Sequence, residues 1–423
     1  MKQTIARFDM KLPPRSTKWY LRPLTFLISE PAVIMHRSII RKYGVDGLKP
    51  PYLLLCNHNA FLDFKIATRA IFPHRANYVV AIDGFIGREK LLRDVGCICK
   101  RKFTDDIGLI RHLITSVKAG NVLVLYPEAR YSLCGTTAVL PSSLGKLCRL
   151  LHVPVVSLIC HGHHINSPFW NLHSRGVAPV EAELTLLYTP EELEKTSPDK
   201  INRRLVEIFQ YDDYAWQRSR NIRVRYKKRA EGLHKVLYQC PSCRSEFRMH
   251  SKGTRLLCGS CGKEWELSPL NILQAVNGET EYCYIPDWYE WERENVREEI
   301  EKGTYSSGLL PVHVDSLPNA DRFIRIGNGT LLHDMNGFHV SGRTADGEEF
   351  SMEKPVASMY SCHIEYEYLG KYGDCIDLNT LTDTWYIYPE SENFSVTKMA
   401  LATEELYFSQ RRASGNPCKP GLA

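Results

Sequence analysis

The sequence predicts an α/β domain, a mostly parallel sheet flanked by helices, followed by a small cysteine-held ribbon and a β-rich C-terminal domain. Three observations carry that expectation. Between about residues 50 and 190, apolar runs of strand length alternate with helical stretches, the pattern of layered α/β folds. Two C-x2-C pairs, Cys240/Cys243 and Cys258/Cys261, are separated by 14 residues. From about residue 320, Asn-Gly and Asp-Gly pairs punctuate short alternating runs, which signals hairpins. A chain of 423 residues exceeds what one core usually supports. It divides into an N-terminal interfacial helical segment (1–45), the α/β domain (46–215), a basic linker (216–235), the ribbon (236–270), a helical connector (271–310) and the β-rich domain with its C-terminal helix (311–423).

Taken in order, "WYLRPLTFLISEPAVIMHRSII" (19–40) is interrupted by Arg22, Pro23, Glu30, Pro31 and His36. A bilayer span needs about 20 apolar residues without such breaks. The segment is expected either to lie flat on a membrane, with Trp19, Tyr20, Leu24, Phe26 and Leu27 in the interface, or to pack on the domain beside it. "YLLLCNH" (52–58) and "NYVVAI" (77–82) read as buried strands, Gly87–Val95 as a short helix and "CICKR" (97–101) as strand-like. Thr104 is the expected N-cap of a helix striped by Ile107, Ile110, Ile114 and Val117 and stopped by Gly120. "VLVLYPE" (122–128) and "VPVVSLIC" (153–160) are further buried strands around a helix at Ser142–His152, and "VEAELTLLY" (180–188) alternates like an edge strand. Beyond the cysteines, 286–303 reads as a charged helix closed by Gly303 and 395–411 as a helix with Val396, Met399, Ala402 and Leu406 on one side. Three turn pairs between them, at Asn328-Gly329, Asn336-Gly337 and Asp346-Gly347, predict a meander loosely similar to a pleckstrin-homology or GRAM-like barrel.

Charge narrows the partners. Residues 1–250 hold 39 Lys/Arg against 21 Asp/Glu, and residues 251–423 hold 15 against 27, so balances of +18 and −12 make up the net +6. A basic front half favours polyanions: an anionic membrane face, phosphorylated metabolites or nucleic acid. The beginning, "MKQTIARFDMKLPPR", has no apolar signal-peptide core. Fourteen cysteines without a secretion signal suit a reducing cytoplasm. A cytoplasmic chain held at the inner face of the membrane without a span is the expected location.

The chemistry concentrates at "NHNAFLD" (57–63). On one ideal helix His58 and Asp63 would stand about 140° apart and could not meet. With His58 in the turn after a strand and Asp63 in the first turns of the following helix, the imidazole folds back onto the carboxylate. The acid then fixes the tautomer and leaves the other ring nitrogen basic. Such a pair suits deprotonation of a hydroxyl.

"NHNAFLD" resembles the NHx4D block of the glycerolipid acyltransferases, the family of lysophosphatidic acid and glycerol-3-phosphate acyltransferases. "GCICKRK" (96–102), "LYPEARYS" (125–132) and "VPVV" (153–156) resemble that family's later blocks in order, across roughly residues 20–210. The resemblance implies acyl transfer from acyl-CoA or acyl carrier protein to a hydroxyl of a glycerol phosphate or lysophospholipid, with His58 as general base and Asp63 as its support. It implies that Glu128 helps place the acceptor and that Arg101, Lys102 and Arg130 are candidates for its phosphate. Arg130 stands two residues after the glutamate where the family pattern has three. Backbone N–H groups at the helix start beyond His58 are expected to stabilise the oxyanion.

Cys240, Cys243, Cys258 and Cys261 have the spacing of a closed four-thiolate zinc site, structural because no position stays open. The ribbon's default role is a spacer; a headgroup, protein or nucleic-acid contact beside "RNIRVRYKKR" (220–229) is the alternative. "CHGHH" (160–164) is expected to line a pocket or sit at the surface, with metal binding the lesser reading. The rival to an enzyme is a zinc-ribbon adaptor for nucleic acid or protein with an inactive acyltransferase fold.

Overall fold

Seven strands form the first sheet: β1 (Ile39–Tyr43), β2 (Tyr52–Cys56), β3 (Ala76–Ala81), β4 (Ile98–Lys100), β5 (Val122–Leu125), β6 (Val155–His161) and β7 (Glu181–Tyr188). They lie in the order β1-β7-β6-β2-β5-β3-β4, parallel throughout except where β7 runs against β6. The computed structural model describes residues 6–370 and 372–414, so the outermost residues of the expected 1–45 and 311–423 segments lie outside those described. Every residue of β2 is buried. Successive side chains of a strand face opposite sides, and Leu53 and Leu55 accordingly join one apolar cluster while Leu54 and Cys56 join the other.

Helices α1 (Arg22–Met35), α2 (Leu62–Ile71), α3 (Glu89–Asp94), α4 (Ile107–Lys118), α5 (Leu144–Leu151), α6 (His163–Asn166), α7 (Pro190–Lys195), α8 (Pro198–Ile208) and α9 (Asp213–Ser219) surround this sheet. Helices α4, α5, α7 and α8 cover the Leu53 face through Leu113, Leu144, Leu193 and Leu205. The other face meets α1 and α2, and its apolar cluster runs on without a break into the rest of the chain.

Local departures from the sequence reading have physical causes. The cap of α4 is Asp106, whose side chain accepts from Leu109 N, while Thr104 turns back to donate to Arg101 O. The β7 segment is not an edge; its alternating pattern arises between β6 and β1, and β1 itself lies in a stretch expected to be helical. Within the expected basic linker, 216–235, Val224, Ala230 and Leu233 are buried and Arg229 Nε donates to Leu267 O at 2.6 Å.

The ribbon is a four-stranded antiparallel sheet of β8 (Met249–Lys252), β9 (Arg255–Cys258), β10 (Glu264–Leu267) and β11 (Leu273–Ala275). Trp265 packs edge-on against Trp288 of α10 (Ile285–Glu301), with centroids 5.0 Å apart. The last sheet is antiparallel, built from β12 (Leu310–Ser316), β13 (Ile324–Asp334), β14 (Gly337–Thr344), β15 (Glu349–Pro355), β16 (His363–Glu365), β17 (Cys375–Asn379) and β18 (Thr384–Pro389) in the order β15-β14-β13-β12-β18-β17-β16. Asn336-Gly337 and Asp346-Gly347 make hairpin turns, but Asn328-Gly329 lies inside β13. There a Cβ on Gly329 would come within 2.1 Å of Ser341 O, so the glycine serves close strand approach, not a turn. Helix α11 (Val396–Ala413) is capped by Ser395 and buried on nearly all sides from Val396 to Leu406, more than the single expected stripe.

Charge joins these parts. Arg130 Nη2 donates to Glu404 Oε1 at 2.7 Å, and Arg293 of α10 reaches Glu404 Oε2 at 2.8 Å. Arg130 and Glu404 are 4% and 1% exposed. Removing one member of such a pair strands the other charge in a low-dielectric interior, at a cost of about 3–5 kcal/mol. Glu404→Leu is therefore expected to shift the urea unfolding midpoint down by a corresponding amount; an unchanged midpoint would mean that the network carries no net stability.

Candidate active site

The ends of three neighbouring strands converge on His58. Beyond β2, the Asn57 side chain continues the ladder to β6: Nδ2 donates to Cys160 O at 2.9 Å and Oδ1 accepts from Cys160 N at 2.8 Å. His58 is held by its backbone on both sides. Its N–H donates to Glu128 Oε1, just after β5, at 3.2 Å, and its carbonyl accepts from Ser132 N at 2.8 Å. The ring stacks on Tyr126 (centroids 4.2 Å apart) and tilts against Tyr131 (4.4 Å).

Asp63, in the first turn of α2, is fully buried. Its Oδ2 accepts from Asn59 N at 2.6 Å and Ala60 N at 2.9 Å, and lies 3.2 Å from His58 Nδ1. Its Oδ1 lies 2.5 Å from Nδ1 of His163, at the start of α6. Burial pushes the Asp63 carboxyl up, but His163 and His58 together outweigh it and hold the group near pH 2, so it is ionised. Burial pushes His58 below the usual histidine range against the pull of Asp63, so its imidazole is neutral at pH 7. A proton on Nδ1, facing the carboxylate, leaves Nε2 as the base. His58 keeps 23% of its side chain exposed while Asp63 keeps none, so the base meets solvent and its support does not.

His163 is the part of this constellation that the sequence reading missed. All of "CHGHH" was seen, but as pocket lining or surface. The available signal was position: His163 stands two residues past the end of the strand that pairs with β2. Asp63, Cys160 and His163 also bring their ligand atoms within 4.8 Å of one another, yet the 2.5 Å His163–Asp63 contact fills that space with a hydrogen bond.

The remaining expected residues fall in other places. Glu128 is 1% exposed, and its oxygens meet His58 N, Ala138 N and the Tyr211 hydroxyl. These contacts hold the histidine loop, and burial raises its carboxyl to about 8 against those donors. Arg101 is turned away, donating to Leu317 O, Pro318 O and Thr384 Oγ1 at 3.0, 3.1 and 2.6 Å. Arg130 is held by Glu404. Both guanidiniums clasp the C-terminal sheet and helix, because desolvated arginines need fixed acceptors, and neither is arranged to take a phosphate. Lys102 is half-buried, and its charge is among the influences that lower His58. The Asn59 and Ala60 N–H groups, at the start of the turn into α2, are taken by Asp63 and are not free for an oxyanion.

The four ribbon cysteines converge as expected. All four Sγ atoms lie within 4.8 Å of one another, with Cys240–Cys261 at 3.8 Å and Cys243–Cys258 at 3.7 Å. A tetrahedral ion with metal–sulfur distances of about 2.3 Å sets its thiolates about 3.8 Å apart, so the donor set fits such an ion. Matching knuckles make this possible: Arg244 N donates to Cys240 O and Gly262 N to Cys258 O, each from a left-handed residue.

Residues 35–161 match the family model described as Acyltransferase. No curated protein matches the chain. Among solved structures, the 1-acyl-sn-glycerophosphate (LPA) acyltransferase PlsC of Thermotoga maritima is similar at 15% identity and a TM-score of 0.35, covering 45% of this chain and 77% of that one.

Metal analysis of protein purified without chelator is expected to find one zinc per chain, lost in Cys240→Ser/Cys258→Ser. Wild-type protein free of metal would sink the assignment.

Proposed function

We propose, from the match of residues 35–161 to the Acyltransferase family model, that the chain transfers a fatty acyl group from acyl-CoA or acyl carrier protein to a hydroxyl of a glycerol phosphate or lysophospholipid. The observation that carries the proposal is the His58–Asp63 contact, with the carboxylate fixed by two amides and a second histidine. His58 Nε2 takes the proton of the acceptor hydroxyl as its oxygen bonds to the thioester carbon. The tetrahedral intermediate then expels the thiolate, which recovers the proton from His58. Asp63 supports the imidazolium in between. No protein nucleophile is needed, because both substrates react directly once held together. The adaptor reading explains neither the neutral histidine nor its buried, fourfold-held partner.

The four thiolates would hold zinc as a structural ion with no open position. The seven-strand antiparallel meander closed by α11 is what supports the pleckstrin-homology or GRAM-like comparison for the C-terminal region.

Membrane contact at the inner face is the proposed location. No helix among the described residues is long and apolar enough to cross a bilayer. Exposed apolar side chains instead gather around α1 and the start and end of α2: Trp19, Leu27, Ile34, Met35, Phe61 and Phe72 are 77, 64, 67, 64, 61 and 47% exposed. Phe26 and Phe72, with centroids 4.4 Å apart, join the two helices into one face. Phe61 lies three residues from His58, so a lipid acceptor leaving the interface meets the base within a short distance.

His58→Ala is expected to lower kcat by about 10²-fold or more while leaving the circular-dichroism spectrum of the folded protein unchanged. In wild type, kcat/KM should fall toward acid as His58 protonates, with a midpoint below the usual histidine value. Wild-type rates in His58→Ala would refute the mechanism. Flotation with vesicles of anionic lipid is expected for wild type and lost in Leu27→Glu/Ile34→Glu; equal flotation of both would remove this face from the membrane contact.

A further inference from the structure

The carboxylate behind the base is shared between two histidines. Asp63 Oδ2 serves His58 and the Asn59 and Ala60 amides, while Oδ1 is left to His163 at 2.5 Å. The two rings differ in their surroundings, since the His163 side chain is 0% exposed and that of His58 23%. His163 Nε2 is buried and has no hydrogen-bond partner among the described residues. A proton there would be a donor with nothing to receive it, which is costly in the interior. The ring therefore carries its proton on Nδ1 and donates it to Asp63.

A second buried acid fixes the peptide on which His163 stands. Strand β6 gives way to α6 at Gly162, whose φ of +86° is left-handed and where a Cβ would come within 2.6 Å of the Trp216 ring of α9. Glycine allows both the turn and the close approach of α9. Asp213, the first residue of α9, is fully buried. Its Oδ1 accepts from Gly162 N at 3.0 Å and its Oδ2 from His164 N at 2.8 Å, so one carboxylate ties the amides on either side of residue 163. Asp213 N in turn donates to Gly135 O at 3.0 Å. The other titratable groups are Tyr126 and Tyr131 on the His58 ring, with Lys102 and His363 acting on it by charge, and Cys160, His36 and His161 around His163.

We propose that His163 is a positioning residue for the base: by taking Asp63 Oδ1 it leaves Oδ2 to His58 and sets how far the shared carboxylate supports the imidazolium, with Asp213 holding His163 to that task. This rests on the acyl-transfer reading and extends its machinery from α2 to α6 and α9. His163 neither gives up nor receives a proton in the reaction. Its bond draws part of the carboxylate's charge away from His58, so the base stays neutral until the acceptor hydroxyl arrives.

The test titrates His58 directly. The full chain, isotope-labelled at histidine Cε1, is followed by NMR against pH, with His58→Ala identifying the His58 resonance, and transfer from acyl-CoA to lysophosphatidic acid is measured in parallel. His163→Phe keeps a ring and removes the donor. The carboxylate's charge then falls more heavily on His58 and favours its imidazolium. The His58 midpoint is expected to rise by about half a pH unit or more, the scale of a hydrogen bond to a charged group passed on through a shared carboxylate. The acidic limb of kcat/KM moves with it. His163→Asn, whose amide N–H reaches the place of Nδ1, should bring the midpoint back toward wild type. Asp213→Asn, which turns one of two acceptors into a donor, should move the midpoint in the same direction as His163→Phe, and it carries the test if His163→Phe does not fold. An unmoved or lowered midpoint in the folded variants overturns the assignment even where stability falls, because a packing role alters stability and not the titration of His58. A shift in His163→Asn equal to that in His163→Phe overturns it as well. The expected shifts in a chain that transfers no acyl group leave the positioning role standing and remove the acyl-transfer reading instead.

Discussion

Everything at the site depends on keeping one carboxylate ionised where no water reaches it. Asp63 is fully buried, and an isolated charge there would simply take up a proton. Two amides and two imidazoles hold it ionised, and each donor is fixed by something else. The amides of Asn59 and Ala60 belong to a loop pinned by Asn57 to β6 and by Glu128 to β5. His163 is carried by the end of β6. The arrangement thus uses the rigidity of three adjacent strands to hold one proton position on His58, and the sheet order, with β2 between β5 and β6, is what makes the three strand ends available together.

The same dependence explains the C-terminal half. Arg101 follows β4 directly, and Arg130 lies in the loop that supports His58. Each reaches into the last sheet or helix for its acceptors. The segments flanking the base therefore take their positions partly from residues far along the chain.

The legible part of the fold was what short-range pattern encodes. Fully apolar runs announced β2, β5 and β6, and the cysteine spacing announced the ribbon, because those signals are complete within a few residues. The contact of His58 with Asp63 followed from strand, turn and helix in succession. What stayed hidden was non-local. Arg101 and Arg130 looked like free cations because their partners Thr384 and Glu404 are 283 and 274 residues away. The β7 strand looked like an edge because nothing local announces that β1 pairs with it. Asn328-Gly329 looked like a turn because the dipeptide has no local mark that distinguishes a tight crossing of two strands. His163 needed knowledge of which strands are neighbours before its place beside Asp63 could be seen.

The continuity of the apolar cluster from the first sheet to α11 has a consequence for how the molecule is made. Domains commonly fold in turn as the chain leaves the ribosome. Here α1 and α2 cover only part of the face that carries Leu54, and the acceptors of Arg101 and Arg130 are supplied by residues beyond 310. The α/β portion therefore reaches its final packing only once the C-terminal sheet and helix are in place.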